Sequence, residues 1–254
     1  MSTELALPLV SALVIGVGAG YVGSLMVLRR MALVGDALSH VALPGIAVAL
    51  LAEFNPFLGA FGALAIAVVI IWALERRTAL PSETIVGIIF TLSLALGLLL
   101  TPEPELLEAL FGDIADVTMQ GVLIAIAAVV VIGALIARQG RTLVLGIVSD
   151  DLARTSGRNV SRANLLFMLA VALVVALGIK IAGTLLTGAL VIIPAAAARN
   201  ISGSLTRYMA LSAVFGALSG IGGVALAAVT ASPPGPLIIL TSGVIFGATL
   251  LFKR

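Results

Sequence analysis

The hydrophobic positions of the chain fall into nine long apolar runs separated by short polar segments. An α-helix needs about 17 to 25 apolar residues to cross the hydrocarbon core of a membrane, and most of the runs have that length. The pattern therefore predicts an all-α, polytopic membrane protein built as a single transmembrane domain over residues 1–254. The count of spans falls to eight if one of the two short runs, 37–53 or 183–198, is re-entrant. The predicted spans are 6–28, 37–53, 57–74, 84–100, 119–137, 162–179, 183–198, 208–230 and 236–252.

Composition narrows the class of protein further. Hydrophobic residues make up 61% of the sequence and charged residues 10%, which excludes a soluble globular fold. The chain has no cysteine, so any bound metal must use oxygen and nitrogen ligands. The net charge of +2 comes from basic residues that are spread along the chain, which argues against nucleic-acid binding. The segment MSTELALPLV has no basic residue, so the first run is predicted to be a retained span rather than a signal peptide.

The distribution of Lys and Arg predicts the orientation of the chain in the membrane. Cytoplasmic loops of membrane proteins carry an excess of these residues. If the N-terminus lies outside and the chain crosses nine times, all of the 14 basic residues except Lys180 fall in cytoplasmic segments. We therefore expect an extracytoplasmic N-terminus and a cytoplasmic C-terminus. Lys180 is expected to extend toward the outer interface, with a gating ion pair as the alternative.

The segment between the fourth and fifth predicted spans, about 101–117, is acidic and has no basic residue. The predicted topology places it outside, where its negative charge would attract a cation or a cationic partner. An ordinary solvated loop with one amphipathic turn is the alternative. The acidic residues of this segment are Glu103, Glu105, Glu108, Asp113 and Asp116.

The longest predicted cytoplasmic segment, about 139–161, contains signals for a short helix. Ser149 can cap this helix, and the two aspartates that follow complement the positive end of the helix dipole. Arg154 lies near the other end, and Gly157 can adopt the left-handed conformation that ends many helices. A short helix in a loop suggests docking to a partner, while a surface helix that only links two spans is the alternative.

Asp36 and His40, the only histidine of the chain, are the strongest candidates for chemistry. Residues four apart share one face of a helix, so this carboxylate and this imidazole can reach the same small volume, and both are ligands for zinc or manganese. Pro44 is expected to bend the helix and to leave the His40 carbonyl oxygen without its amide partner. Asp36 could instead be a helix N-cap, and His40 could be hydrogen-bonded to a neighbouring helix. Ionisable groups inside a membrane usually mark a transport path, which favours the functional interpretation.

One chain supplies too few ligands for a compact metal site. Asp36 and His40 provide two side-chain donors, whereas zinc takes four ligands, and the chain has no other histidine and no cysteine. A two-fold symmetric dimer would bring two copies of each residue to a common axis and form a site of two nitrogens and two oxygens. The site is therefore predicted to form only between two subunits.

Small residues predict where helices pack closely. Gly16 and Gly20 show the spacing of such contacts, as do Gly216 and Gly220. The element LGIKIAGTLLTGALVIIPAAAARN combines glycines, a proline and an alanine run, as expected where helices pack tightly or move. The candidate hinges are Pro44, Gly183 and Pro194, with static packing as the alternative.

Three elements of the sequence resemble the membrane permeases of metal-uptake ABC transporters, the group that serves zinc, manganese and sometimes iron. They are LVGDALSHVALPGIAVAL, SDDLARTSGRNV and LGIKIAGTLLTGALVIIPAAAARN, in the order and spacing of that family. The resemblance extends over nearly the whole chain. It implies a permease of the type II ABC importer kind in the plasma membrane of a prokaryote, with no permanent cofactor and with a divalent cation as the transported species.

The resemblance also implies partners and residue roles. Such permeases pair as dimers, receive metal from an extracytoplasmic binding protein and are driven by two cytosolic ATPase subunits. Asp36 and His40 would be the metal ligands of the path, and residues 149–157 would be the coupling helix that fits a groove on the ATPase. The predicted coupling residues are Ser149, Asp150, Asp151, Leu152, Ala153, Arg154 and Gly157.

The chain itself is not expected to be an enzyme. It lacks the phosphate-binding sequence G-x-x-x-x-G-K-[ST], so ATP would be hydrolysed on a separate subunit. The alternative function is a proton-coupled secondary metal transporter or channel with Asp36 and His40 as a relay, which would not require a coupling helix. An intramembrane metallohydrolase is less consistent with the sequence, because H-E-x-x-H is absent and a single histidine makes a poor catalytic zinc site.

Overall fold

The computed structural model describes residues 3–101, 109–112, 117–148 and 157–252. Within these ranges the chain contains nine long helices, a short helical stretch at 109–111 and no strand, which confirms the predicted all-α class. The long helices are α1 (Thr3–Leu28), α2 (Ala32–Leu51), α3 (Pro56–Arg77), α4 (Ser82–Leu100), α5 (Met119–Val148), α6 (Val160–Ala182), α7 (Thr184–Ile201), α8 (Leu205–Thr230) and α9 (Pro234–Leu250).

Every predicted span coincides with one of these helices. Seven of the described helices are long and apolar enough to cross a membrane, while α7 and α9 are apolar but shorter. The two shorter helices still pack within the bundle, since α7 contacts α1, α2, α8 and α9. The described helices therefore agree with the predicted architecture of eight to nine spans.

The helix ends differ from the predicted ends by more than three residues at two places. α2 begins at Ala32 rather than at 37, and α5 continues to Val148 rather than ending at 137. The first part of the segment predicted as a cytoplasmic loop, 139–148, is therefore helical. Charged residues such as Arg138 and Arg141 end an apolar run, but arginine is a good helix former, so the helix continues beyond the hydrophobic pattern.

α1 and α8 form the most extensive helix pair of the described structure. A Cβ atom at Gly16 would lie 2.3 Å from the carbonyl oxygen of Gly216, and one at Gly20 would lie 2.0 Å from the carbonyl oxygen of Ser212. No larger side chain fits at these distances, so the two backbones touch. The close packing predicted from the glycine spacing is confirmed for this pair.

α2 packs against α3, α4 and α7. A Cβ atom at Gly45 would lie 2.2 Å from the carbonyl oxygen of Gly59 on α3, and one at Gly97 of α4 would lie 2.6 Å from the Leu43 Cβ atom. α2 remains one helix through Pro44, so this proline does not divide it. These close contacts fix the helix that carries Asp36 and His40, and a hinge role for Pro44 stays a prediction.

The junction between α6 and α7 depends on Gly183. This residue has φ +74° and ψ +169°, a conformation that is essentially restricted to glycine. A Cβ atom there would also lie 2.1 Å from the carbonyl oxygen of Leu110. Pro194 lies inside α7, which is continuous from Thr184 to Ile201. The structure thus contains one break in this element, at Gly183, and the predicted hinge roles of Gly183 and Pro194 stay predictions.

Candidate functional site

Asp36 lies inside α2 and does not cap it. The helix starts at Ala32, after a tight turn in which the Met31 amide donates to the Met26 carbonyl oxygen at 2.9 Å. Arg30 adopts a positive φ of 59° in this turn, and the N-cap residue Met31 makes no side-chain cap bond. The N-cap interpretation of Asp36 is therefore wrong, because the helix begins one turn earlier than the hydrophobic pattern indicates.

The turn that precedes α2 is anchored on α6 by Arg29. The Arg29 guanidinium donates a hydrogen bond to the side-chain oxygen of Asn164. It also lies 5.4 Å from the centre of the Phe167 ring, within the range of a cation–π contact. These contacts hold the start of α2, and with it Asp36, at a defined position on the bundle.

Asp36 and His40 lie one helical turn apart on α2, because the helix is continuous over both residues. The Asp36 side chain is exposed and the His40 side chain is half-buried. The hydroxyl of Ser39, between them in sequence, donates to the Asp36 carbonyl oxygen at 2.7 Å. A carboxylate and an imidazole are thus presented on one face of the helix.

Gly188 of α7 sets the position of Asp36. A Cβ atom at Gly188 would lie 2.6 Å from the Asp36 Cα atom and 2.8 Å from its Oδ1 atom. The absence of a side chain therefore lets α7 lie directly against the carboxylate. Any larger residue at this position would have to push Asp36 or one of the two helices aside.

His40 contacts Phe90 of α4. The two ring centres are 5.4 Å apart and the rings are inclined by 64°, an edge-to-face arrangement typical of favourable aromatic pairs. The His40 Nδ1 atom is buried and has no hydrogen-bond partner among the described residues. This does not support the alternative of a histidine hydrogen-bonded to a neighbouring helix through Nδ1, and it leaves that nitrogen free to bind a cation.

The pair does not form a complete metal site by itself. Within the described ranges, no group of three or more His, Cys, Asp or Glu side chains lies close enough to hold a metal ion. Two donors leave at least half of a four-coordinate shell open. The arrangement can therefore contact a passing cation, and a tighter site needs ligands from elsewhere.

A family model described as the ABC 3 transport family matches residues 3–253. The chain belongs to the ABC 3 transport family. Members of this family are permeases of ABC transporters, so the resemblance predicted from the sequence is confirmed. The chain is accordingly a multi-pass transport subunit and not an enzyme, and ATP is hydrolysed by a separate subunit.

Characterised relatives cover almost the full length of this ABC 3 family member. "Manganese import system permease protein ScaB" of Streptococcus parasanguinis is 35% identical over 242 residues, which are 94% of this chain and 86% of the relative. "High-affinity zinc uptake system membrane protein ZnuB" of Haemophilus influenzae is 32% identical over 253 residues, 97% of this chain and 96% of the relative. A solved structure titled "PsaBC from Streptococcus pneumoniae in complex with Fab" superposes with a TM-score of 0.88 at 30% identity, covering 100% of this chain and 93% of the other.

Most of the residues predicted to couple this permease to its ATPase fall outside the described ranges. These are Ser149, Asp150, Asp151, Leu152, Ala153 and Arg154. Gly157 is described: it is exposed, has φ +70°, and a Cβ atom there would meet nothing within 4 Å. The left-handed conformation expected of this glycine is therefore present, and the coupling role of the segment stays a prediction.

The structure adds two residues to the site that sequence reasoning missed. Phe90 and Gly188 contact His40 and Asp36, respectively, from two different helices. Gly188 belongs to the small-residue element noted in the sequence, but nothing in its spacing indicates which helix it meets. Phe90 carries no signal in the sequence at all, because an aromatic residue in an apolar span most often faces lipid or the core.

Proposed function

We propose that the chain is the membrane permease of an ATP-driven importer of manganese or zinc, and that the cation passes Asp36 and His40. The observation that carries the proposal is the unpartnered Nδ1 atom of His40, one turn from an exposed carboxylate on the same helix. The characterised relatives support the choice of cation, since their names state manganese import and zinc uptake. Neither of these two names mentions iron, the third metal implied by the resemblance.

The complete cation site would form between two permease subunits. Two copies of Asp36 and His40 on a two-fold axis would provide two carboxylates and two imidazoles. The exposure of Asp36 fits this arrangement, because a partner subunit can reach it. α4, which carries the His40 contact Phe90, also has a largely exposed face, including Ile88, Leu92 and Leu96. The second subunit is either another copy of the chain or a paralogue.

Such a site would accept either metal. A shell of two nitrogens and two oxygens suits tetrahedral zinc, while manganese would take further oxygens from water or backbone carbonyls. The open shell of a single pair also suits transport, because a cation that is held by few ligands can leave again. Which of the two metals the site binds would depend on its coordination geometry and on the availability of each metal.

Membership of the ABC 3 transport family supports a proposal for the remaining partners. Residues 149–157 would dock on a cytosolic ATPase dimer, and the acidic segment 101–117 would face an extracytoplasmic metal-binding protein. This assignment places the N-terminus outside and the C-terminus in the cytoplasm of a prokaryotic cell, in its plasma membrane. The distribution of Lys and Arg supports that orientation.

The test is uptake of radioactive manganese, zinc and iron by cells that express the chain with its transporter partners. His40→Ala and Asp36→Asn should each reduce uptake at least about 100-fold, more than changes in outer-shell partners usually cost. Ser39→Ala is the matched control, because it changes the neighbouring buried residue but removes no ligand. Normal uptake by His40→Ala, at normal amounts of protein in the membrane, would falsify the ligand assignment.

A second uptake experiment distinguishes this function from the proton-coupled alternative. A protonophore that collapses the proton gradient should leave uptake intact as long as ATP is maintained. ATP depletion with the gradient preserved should abolish it. The opposite pattern would overturn the ATP-driven function in favour of a gradient-driven carrier.

A further inference from the structure

A cavity lies between the end of α3 and the start of α6. Asp36 and His40 are not among its described lining residues. Its volume is about 510 Å³, which is within the range of small-molecule sites. None of the described residues that line it is acidic, and two are arginines. The described lining residues are Arg76, Gly157, Arg158, Asn159, Val160 and Ser161.

The two arginines are held in place by neutral partners. Arg158 is half-buried, and its Nη1 atom donates to the Thr142 hydroxyl of α5 at 3.0 Å. The Arg76 guanidinium lies 4.8 Å from the centre of the Trp72 ring. Neither guanidinium forms an ion pair with any residue in the described ranges. Both positive charges are therefore oriented but not neutralised by the described part of the chain.

Trp72 joins the two helices that form the cavity. Its indole Nε1 donates to the Ser161 hydroxyl at 3.0 Å and to the Ser161 carbonyl oxygen at 3.2 Å. The same ring carries Arg76 on its face. The position of Arg76 on α3 is thus tied to the first turn of α6.

The start of α6 adds further positive potential. The Asn159 side chain accepts the Arg162 amide at 3.0 Å, whereas the amides of Val160 and Ser161 have no acceptor within the helix. Free amides and the helix dipole favour an anion at this end of a helix. The cavity therefore combines two guanidinium groups with backbone donors, the donor set that suits a phosphate group.

An apolar surface leads to this cavity along α3. Ile66, Val69 and Ile70 are exposed on the helix, and Val69 lies seven residues before Arg76, on the same helical face. A tryptophan and arginines at the end of an apolar helix are typical of the boundary between hydrocarbon and headgroups. A ligand with acyl chains along α3 would place its headgroup at Arg76.

We propose that the cavity binds the phosphate of an anionic phospholipid headgroup, with Arg76, Arg158 and the first amides of α6 as its donors. Basic pockets between membrane helices on the cytoplasmic side bind anionic headgroups, and both arginines lie in segments predicted to be cytoplasmic. The site adjoins Gly157, where the predicted coupling segment ends. It uses none of the residues proposed to bind the transported cation.

Trp72 is the only tryptophan of the chain, so its fluorescence reports directly on the cavity. The full-length chain, purified in an uncharged detergent, is titrated with phosphatidylglycerol, with phosphatidylcholine and with inorganic phosphate. Phosphatidylglycerol should change the Trp72 emission in a saturable way, and phosphatidylcholine should not. Inorganic phosphate should act only at much higher concentration, because it lacks the acyl chains.

The variant Arg76→Gln with Arg158→Gln should raise the midpoint of the phosphatidylglycerol titration about thirtyfold. Arg199→Gln with Arg207→Gln is the matched control, because it removes two exposed arginines from other predicted cytoplasmic segments. Native mass spectrometry of retained lipid gives a second readout that does not depend on the Trp72 environment. An equal loss in the control pair, an equal response to phosphatidylcholine, an inorganic phosphate midpoint equal to that of the lipid, or no response to phosphatidylglycerol would each overturn the proposal.

Discussion

Gly188 of α7 lies directly against Asp36 of α2, so that a Cβ atom at Gly188 would lie 2.6 Å from the Asp36 Cα atom and 2.8 Å from its carboxylate. This contact makes the packing of two helices and the position of a proposed cation ligand interdependent. Gly188→Ala should therefore displace Asp36 and reduce metal uptake by about tenfold or more, since small misplacements of functional groups are costly. Uptake is measured per amount of protein in the membrane.

The control for this prediction is Gly133→Ala on α5. Gly133 has nothing within 4 Å of the position of an added Cβ atom, so the substitution should leave uptake unchanged. Wild-type uptake by Gly188→Ala would show that the contact has no role in positioning Asp36. A comparable loss in both variants would point to a general defect of helix packing.

Phe90 is expected to orient the His40 ring. Phe90→Leu keeps an apolar residue of similar size but removes the edge-to-face contact, which is worth about 0.5 to 1.5 kcal/mol. The apparent KM for metal uptake should therefore rise about two- to twelvefold, with a smaller effect on the maximal rate. Phe61→Leu is the control, because this phenylalanine stacks on Phe57 within α3 at 6.5 Å. An unchanged KM in Phe90→Leu would refute the orienting role.

The ligand count predicts the stoichiometry of metal binding. Because the described part of one chain presents Asp36 and His40 but no group of three or more such ligands, a purified transporter held in its occluded state should bind one manganese or zinc ion per two permease subunits. Equilibrium binding of a radioactive metal, referred to protein mass, measures this ratio. His40→Ala should abolish the bound fraction, and one metal per permease subunit in the wild type would contradict a shared site.

The sequence resemblance predicts that the segment 149–157 docks on the ATPase. Exchanging its charges through Asp151→Arg with Arg154→Glu should reduce co-purification of the ATPase subunit about tenfold, because charge pairs at an interface would become repulsive. The same exchange elsewhere on the predicted cytoplasmic side, Glu83→Arg with Arg207→Glu, should leave the complex intact. Normal association of the first variant with the ATPase would remove the docking role from this segment.

The sequence by itself determined the class of the protein and the pairing of its proposed ligands. Long apolar runs that cross a membrane form helices, because a helix satisfies the backbone hydrogen-bonding groups internally where the bilayer offers no water. The i, i+4 spacing of Asp36 and His40 is a local property that any continuous helix converts into a shared face. The glycine spacings of α1 and α8 predicted that each helix packs closely against a neighbour, since close approach requires small residues, and the structure shows that the two pack against each other.

Only the tertiary structure decided what surrounds the pair and where α2 begins. The early start of α2 depends on the turn that Arg29 anchors on α6. Phe90, Gly188 and the cavity of Arg76 and Arg158 join residues far apart in sequence. Such contacts depend on the packing of all the helices at once, whereas periodicity reports only which face of each helix is apolar.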